Sequence, residues 1–331
     1  MALVDLTARA LAVAAALAVA APALANDSEA EIGLGGLVLT RSDAIRMDRE
    51  DLSISRERIT VDYVFTNTSD RDVETLVAFP LPDVEHGIET PAPDYVRDLD
   101  FRSTVDGRPL DLTLVQSATF RGADVSRRLT ALGIPLMPVA DLFDPAVNRL
   151  PPVERDRLVA DGLIEEAGSD GKQTLWAAHW TTRTSVTRTQ VFPAGRSVGV
   201  SHSYKPFVGG SVGGGLDPGQ RRTPEFAASR AKFCIDDDFL RGFDRRLAAA
   251  KRTGAYYGEE WITYVLTSGA NWKGPIGDFR LVVDKGDPEA LVSFCAGGVR
   301  KIGPTRFEVV VKDFVPTRDL SILIVKFHPA S

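Results

Sequence analysis

The sequence predicts a mainly β protein built from two antiparallel β-sandwich-like domains, with a small helical insertion in the first and one further helix opening the second. Three observations lead there. Short runs in both halves of the chain alternate apolar and polar residues, the period-two signature of a half-buried strand. Clusters of Gly, Pro, Asn and Asp separate those runs at intervals that suit a sandwich or an antiparallel sheet. Beyond the first 26 residues, helical spacing stands out in two places, about 121–168 and just after Cys234.

Ahead of the first strand, residues 1–25 read as an export leader. Arg9 and the amino terminus supply positive charge, and residues 10–21 are an apolar run too short to span a bilayer. Ala23-Leu24-Ala25 is the small-x-small pattern read by a signal peptidase, so cleavage is expected before Asn26. No cysteine adjoins that site to carry a lipid. The expected location is the bacterial periplasm, or the medium outside the cell, with no transmembrane segment after cleavage.

Ile59, Val61, Tyr63 and Phe65 then alternate with polar residues. Asn67-Thr68-Ser69-Asp70 is a turn cluster, and residues 73–79 read as the returning strand, ended by Pro80-Leu81-Pro82. A second hairpin is expected around Asp106-Gly107. In the insertion, Val125, Leu129 and Leu132 fall at helical spacing before Gly133 and Pro135, and Pro151-Pro152 opens a second periodic stretch through Leu158 and Leu163. Glu165 to Lys172 reads as a polar loop. Strand patterning returns at Trp176, and Thr181–Phe192 with Val198, Val200, His202 and Tyr204 forms an expected hairpin about Pro193-Ala194-Gly195-Arg196.

The glycines of 209–224 mark an expected linker between a domain at 27–208 and one at 225–331. Asp236 to Lys251 reads as a helix, acidic at its start and basic toward its end, as the helix dipole favours. Strands are expected at 261–267, 279–283, 290–295, 307–311 and 320–327.

Composition limits function. Thirty-nine basic against 45 acidic residues give a net charge of −6, which argues against a nucleic-acid groove and its basic stripe. Beyond the leader there are two cysteines, Cys234 and Cys295. In an oxidising compartment one disulfide is the simplest outcome. The alternative, a redox-active or metal-binding thiol pair, lacks both a Cys-x-x-Cys and a histidine at ligand spacing.

Four spaced motifs resemble one family. They are Val61 to Pro82 (VDYVFTNTSDRDVETLVAFPLP), Gly35-Gly36-Leu37-Val38-Leu39, FCIDDDF around Cys234, and Ala270-Asn271-Trp272-Lys273-Gly274-Pro275-Ile276. Together they resemble the family catalogued as domain of unknown function 4424, over nearly all of the chain after the leader. The resemblance implies an exported bacterial protein with no assigned activity, and it carries over no catalytic residues. A second likeness, at fold level, is to the vault/inter-alpha-trypsin-inhibitor domain, whose sandwich is similar to Asn67 to Pro82 and Pro193 to Tyr204 here, without the helical insertion.

No motif assigns a reaction. The histidines His86, His179, His202 and His328 lie at no compact ligand spacing, so no metal and no cofactor are expected. Asp236-Asp237-Asp238 is read as helix capping before a cation site. The run 209–215 lacks the Lys-Ser/Thr of a phosphate loop and is read as a linker. Trp176 and Trp180 are read as core. Asp94, Asp98, Asp100, Glu259 and Glu260 are carboxylates that could pair only in space. Asn271-Trp272, in a Gly/Pro-rich loop, is the preferred binding candidate, with the indole as an exposed anchor. The function expected is a non-catalytic envelope protein that binds a protein or polymer partner. The alternative is a hydrolase of an envelope or extracellular polymer, using carboxylates or His179 and His202 gathered in space.

Overall fold

The computed structural model describes residues 27–33, 36–87, 93–95 and 97–329. The expected leader lies outside them. Among the described residues the fold is mainly β, and no helix is long and apolar enough to cross a membrane.

Two large sheets organise the molecule. The seven-stranded sheet runs in the order Ala123–Asp124, Thr113–Phe120, Thr181–Phe192, Val73–Pro80, Ser28–Gly33, Gly36–Thr40, with Val84–Glu85 also on Thr181–Phe192. The eight-stranded sheet runs Arg300–Lys301, Arg306–Phe314, Ile276–Asp284, Ile45–Ile54, Ile59–Asn67, Ser197–Tyr204, Arg102–Val105, Arg108–Pro109. A four-stranded sheet follows the order Val208–Ser211, Tyr256–Tyr264, Leu320–His328, Leu291–Phe294. One apolar core joins all three, with Phe65, Phe79, Phe279, Tyr264 and Ile322 among its side chains.

The alternation in Ile59–Asn67 does what its period requires: Ile59, Val61, Tyr63 and Phe65 are all buried. The following strand corrects an expectation. Val73–Pro80 does not return beside Ile59–Asn67; it pairs with Thr181–Phe192 and Ser28–Gly33 in the other sheet. Thr181–Phe192 and Ser197–Tyr204 likewise fall in different sheets. Each turn is thus a crossover between layers. The buried Asn67 carboxamide builds the first one. Its Nδ2 donates to the carbonyls of Arg71 and Phe192 at 2.8 Å each, and its Oδ1 accepts from the Ser69 amide at 2.9 Å. The second crossover packs beside it, with the Asn67 amide on the Arg196 carbonyl (3.0 Å) and the Ala194 amide on Asp72 Oδ1 (2.8 Å). The Asp106-Gly107 turn forms as expected, with φ of 48° and 78° between Arg102–Val105 and Arg108–Pro109.

Hydrogen bonding runs unbroken across the expected linker. Ile276–Asp284 lies parallel to Ile45–Ile54, so the eight-stranded sheet takes strands from both sides of 209–224. The junction is close: a β-carbon at Gly277 would stand 2.7 Å from the carbonyl oxygen of Asp48, where the strand Ile45–Ile54 bulges. Val208–Ser211, at the start of the expected linker, is itself a strand. The Trp261 ring covers Gly209 so closely that a β-carbon would fall 1.9 Å from Nε1.

The insertion holds helices Ser126–Ala131, Ala140–Asn148 and Pro152–Ala160, which bury Leu129, Phe143, Val147 and Leu158 against Trp180 in a core of their own. The polar stretch read as a loop is instead the strand Ile164–Ser169, paired with Thr174–Ala178 in an exposed two-stranded ribbon. The expected helix spans Asp237–Thr253, capped by Asp236 on the Phe239 amide (2.7 Å) and ended by Gly254 at φ 71°. A further helix, Pro224–Phe233, precedes it, with Thr223 as its cap. Cys234 and Cys295 are joined, 61 residues apart.

Candidate functional site

The segment around Asp94–Leu99 lies between the insertion and the end of the large sheets. It is shaped as a tight turn. Asp94 Oδ1 accepts from the Arg97 amide (2.9 Å), its carbonyl accepts from the Asp98 amide (2.8 Å), and its carboxylate also holds the Arg97 guanidinium. Arg97 reaches Asp141 in the first turn of Ala140–Asn148 at 3.5 Å, tying the turn to the insertion. Tyr95 and Leu99 point inward and are buried; the Tyr95 hydroxyl donates to the Pro82 carbonyl at 3.3 Å. Burial pushes the Tyr95 phenol well above its ordinary value, so it stays a neutral donor.

Two adjoining cavities open on this turn. The larger, about 660 Å³, is rimmed by Arg56, Glu57, Asp98, Lys205 and Phe207. The smaller, about 420 Å³, is lined by Gln116, Leu136, Met137 and Leu142. They share Asp94, Tyr95, Arg97 and Val139 and so form one bent groove. Its lining mixes apolar side chains, Leu99, Val139, Met137 and Leu142 among them, with charge of both signs. Arg56 is paired with Glu260 at 3.1 Å. Among the described residues, Lys205, Glu57 and Asp98 have no ion-pair partner. The described lining includes no histidine, cysteine, serine or threonine; its titratable groups are the carboxylates Glu57, Asp94, Asp98 and Asp141, the cations Arg56, Arg97 and Lys205, and the Tyr95 phenol. Such a surface can hold an elongated molecule with an apolar group and flanking charges.

The sequence-predicted candidates lie elsewhere. Trp272 is not an exposed anchor: it is 3 % exposed, packs on Phe65 (4.7 Å between centroids) and Phe192 (6.1 Å), and its Nε1 donates to the Asp27 carbonyl at 2.5 Å. The loop folds back because a short 3₁₀ turn, Thr267–Asn271, leads into it. Main-chain bonds from Ser42 to the Asn271 carbonyl and from Lys273 to the Ile45 carbonyl, both 2.8 Å, then fasten it to the first strands. Asn271 Nδ2 donates to Ser28 Oγ at 3.0 Å. Asn271 and Trp272 therefore seat the Asp27-Ser28 segment.

His179 and His202 are not brought together. His179 pairs with Glu165 at 2.8 Å on the exposed ribbon. His202 lies between the two large sheets, 3.1 Å from Asp27, which Arg188 holds at 2.8 Å. Burial alone would raise the Asp27 carboxyl, but the Arg188 guanidinium and the His202 ring outweigh it and hold it well below the usual range. Phe79, Phe101 and Tyr63 ring the imidazole. A His–Asp pair thus exists, with both side chains 0 % exposed.

The other candidates are accounted for. Asp236 caps its helix, while Asp237 and Asp238 pair with Arg230 and Arg241. Trp180 is core, and Trp176 is half-buried with its Nε1 on Asn148 Oδ1 at 3.2 Å. Asp100 pairs with Arg58 (2.8 Å) and Arg102 (3.0 Å), and Glu260 with Lys326 at 2.9 Å. Burial raises the Glu259 carboxyl, which accepts from the amides of Gly215 and Leu216. Asp94 and Asp98, which the sequence offers only as carboxylates that could pair in space, are the two of that set that belong to the groove. Arg97, Lys205 and Leu142 were missed, because residues scattered between 56 and 208 become neighbours only when the insertion docks.

Comparison with known proteins adds the following. No curated protein matches the chain. Among solved structures, a protein from Legionella pneumophila described as a candidate nutrient binding protein is 14% identical, with TM-score 0.42, covering 91% of this chain and 70% of that one. A structure described as an M1 zinc metallopeptidase from Deinococcus radiodurans is 10% identical, with TM-score 0.24, covering 86% of this chain and 43% of that one. The family model described as Domain of unknown function (DUF4424) matches residues 25–323, and the chain belongs to that family.

Proposed function

We propose that this is an exported, non-catalytic binding protein whose groove along Asp94–Leu99 takes a partner protein or polymer chain carrying an apolar group flanked by charges. The observation that carries this reading is the groove itself. Two cavities of about 660 and 420 Å³ share a buried tyrosine and an anchored arginine, and their described lining holds no histidine, cysteine, serine or threonine. The larger volumes of small-molecule sites are of the same order. Leu142, 59 % exposed in the smaller cavity, supplies the apolar contact, and Lys205 and Asp98 supply charges of opposite sign on the rim.

The test is a panel of amphipathic peptides and oligosaccharides screened for thermal stabilisation of the protein. A binder should raise the melting temperature of the parent and not of Leu142→Arg or Lys205→Glu, both of which should melt as the parent does when no ligand is present. A panel without binders, or stabilisation that neither substitution weakens, would count against the groove.

A further inference from the structure

We propose that Cys234–Cys295 is a thiol–disulfide exchange site, open to the thiolate of a dithiol protein or of a small thiol. Three features of its surroundings carry this. The bond is accessible: Cys234 is exposed and Cys295 half-exposed, and both line a cavity of about 650 Å³ with Phe239, Gly297, Phe307 and Arg318. The two sulfurs also differ electrostatically. Arg318 Nη1 stands 3.7 Å from Cys234 Sγ. Cys234 is the C-cap of the helix Pro224–Phe233, so both sulfurs lie at its negative end; Cys295 Sγ faces the Lys232 and Ala231 carbonyl oxygens at 3.5 and 3.7 Å, oxygens that Arg318 Nη2 also contacts, whereas the sulfur that the guanidinium reaches is that of Cys234. Negative charge is therefore better tolerated on Cys234, and a thiolate of lower pKa leaves faster.

The third feature is redundancy. The bond ties the helix Pro224–Phe233 to the end of the strand Leu291–Phe294, but other contacts also hold the helix in place, one to that strand and one to the segment before Leu320–His328. Ser293 Oγ donates to the Phe233 carbonyl (2.9 Å), Arg318 Nη2 donates to the Ala231 carbonyl (3.1 Å), and Phe226, Phe233 and Ile235 are buried in the local core. Opening the bond leaves these in place, so the site can cycle without unfolding the domain.

The step follows from the asymmetry. An incoming thiolate attacks Cys295 Sγ, a mixed disulfide forms there, and the Cys234 sulfur leaves with the electron pair as a thiolate beside Arg318. When a second thiol of the reductant, as a thiolate, attacks the mixed disulfide, Cys295 is released. The reductant ends as a disulfide, and Cys234 and Cys295 end as two thiols once they have taken up the two protons the reductant gave up. Two electrons pass from the dithiol to the protein, and the reverse sequence oxidises a dithiol.

The experiment uses the native protein at neutral pH, with glutathione as a monothiol probe and dithiothreitol as a dithiol probe, trapped by a maleimide. Four results are expected. Native protein is reduced by millimolar glutathione at least as fast as the same chain unfolded in urea, with its circular dichroism unchanged. The trapped glutathione adduct sits on Cys295. Dithiothreitol gives two free thiols without an accumulated adduct. Arg318→Ala shifts the equilibrium with glutathione toward the disulfide by about tenfold, roughly 30 mV, while Arg318→Lys stays near the parent. A disulfide that yields only after denaturation, an adduct on Cys234, or an Arg318→Ala protein that titrates like the parent would overturn the proposal.

Discussion

Replacing Trp272 by alanine empties the place where the C-terminal half grips the first described residues. The indole fills space between Phe65 and Phe192 and donates to the Asp27 carbonyl, and it is 3 % exposed. Truncating an aromatic in such a core costs about 3–5 kcal/mol. The carbonyl left without its donor adds about 1–3 kcal/mol if water cannot reach it. A combined loss of about 4–8 kcal/mol is a large part of the 5–15 kcal/mol typical of a folded domain. Trp272→Phe keeps part of the ring packing while removing the donor and some ring volume, so it should lose less than the alanine variant but at least about 1–3 kcal/mol. Urea unfolding of the three proteins, read by circular dichroism, orders them directly. A Trp272→Ala protein that loses less than about 2 kcal/mol at an unchanged slope would refute the account of this side chain as a core residue.

Three further predictions follow from single contacts. Arg188→Met strands the buried Asp27 carboxylate and should lose about 3–5 kcal/mol, part of which Asp27→Asn in the same chain restores; urea midpoints of the single and double variants check this. His86 is held by burial at about 4, so its contribution is whole above the ordinary value of 6.5 and is lost as pH falls from there toward 4. About 2 kcal/mol of acid-side instability, after discounting for partial exposure, should disappear in His86→Gln when melting is followed from pH 7 to 4. Gly277→Ala puts a methyl 2.7 Å from the Asp48 carbonyl oxygen, a backbone atom that cannot rotate aside, and should lose about 1–3 kcal/mol in melting experiments; an unchanged melting temperature would mean that the parallel junction is looser than described.

Local rules were legible in the chain because their causes are local. The alternation of Ile59, Val61, Tyr63 and Phe65, the positive-φ turn at Asp106-Gly107 and the Asp236 cap each depend on a few neighbouring residues, and each appears in the structure. The pairing of Cys234 with Cys295 was legible for a different reason: two thiols allow one partner. The polar stretch after Leu163 was misread because Glu165 and Glu166 sit on an exposed ribbon, where no buried face imposes alternation.

What neighbours each strand has was decided only by the tertiary structure. An amphipathic strand satisfies its apolar face equally well beside the preceding strand or opposite it in a second layer, so period two cannot separate a hairpin from a crossover. Here the buried Asn67 carboxamide, bonded to the Phe192 carbonyl, selects the crossover. The same holds for Trp272. Glycine and proline around it mark a turn, but whether an indole in a turn meets solvent or core depends on what packs over it. That is Phe65, Phe192 and the Asp27 carbonyl, 80 to 245 residues away in the chain. The groove is the extreme case. Its residues come from the turn after Ile45–Ile54, the Asp94–Leu99 segment, the insertion and the approach to Val208–Ser211, and none carries a spacing that marks it. Composition and periodicity determine that this chain makes sheets with buried faces. Which faces meet, and the space left between them, is set by long-range packing that no short window of sequence contains.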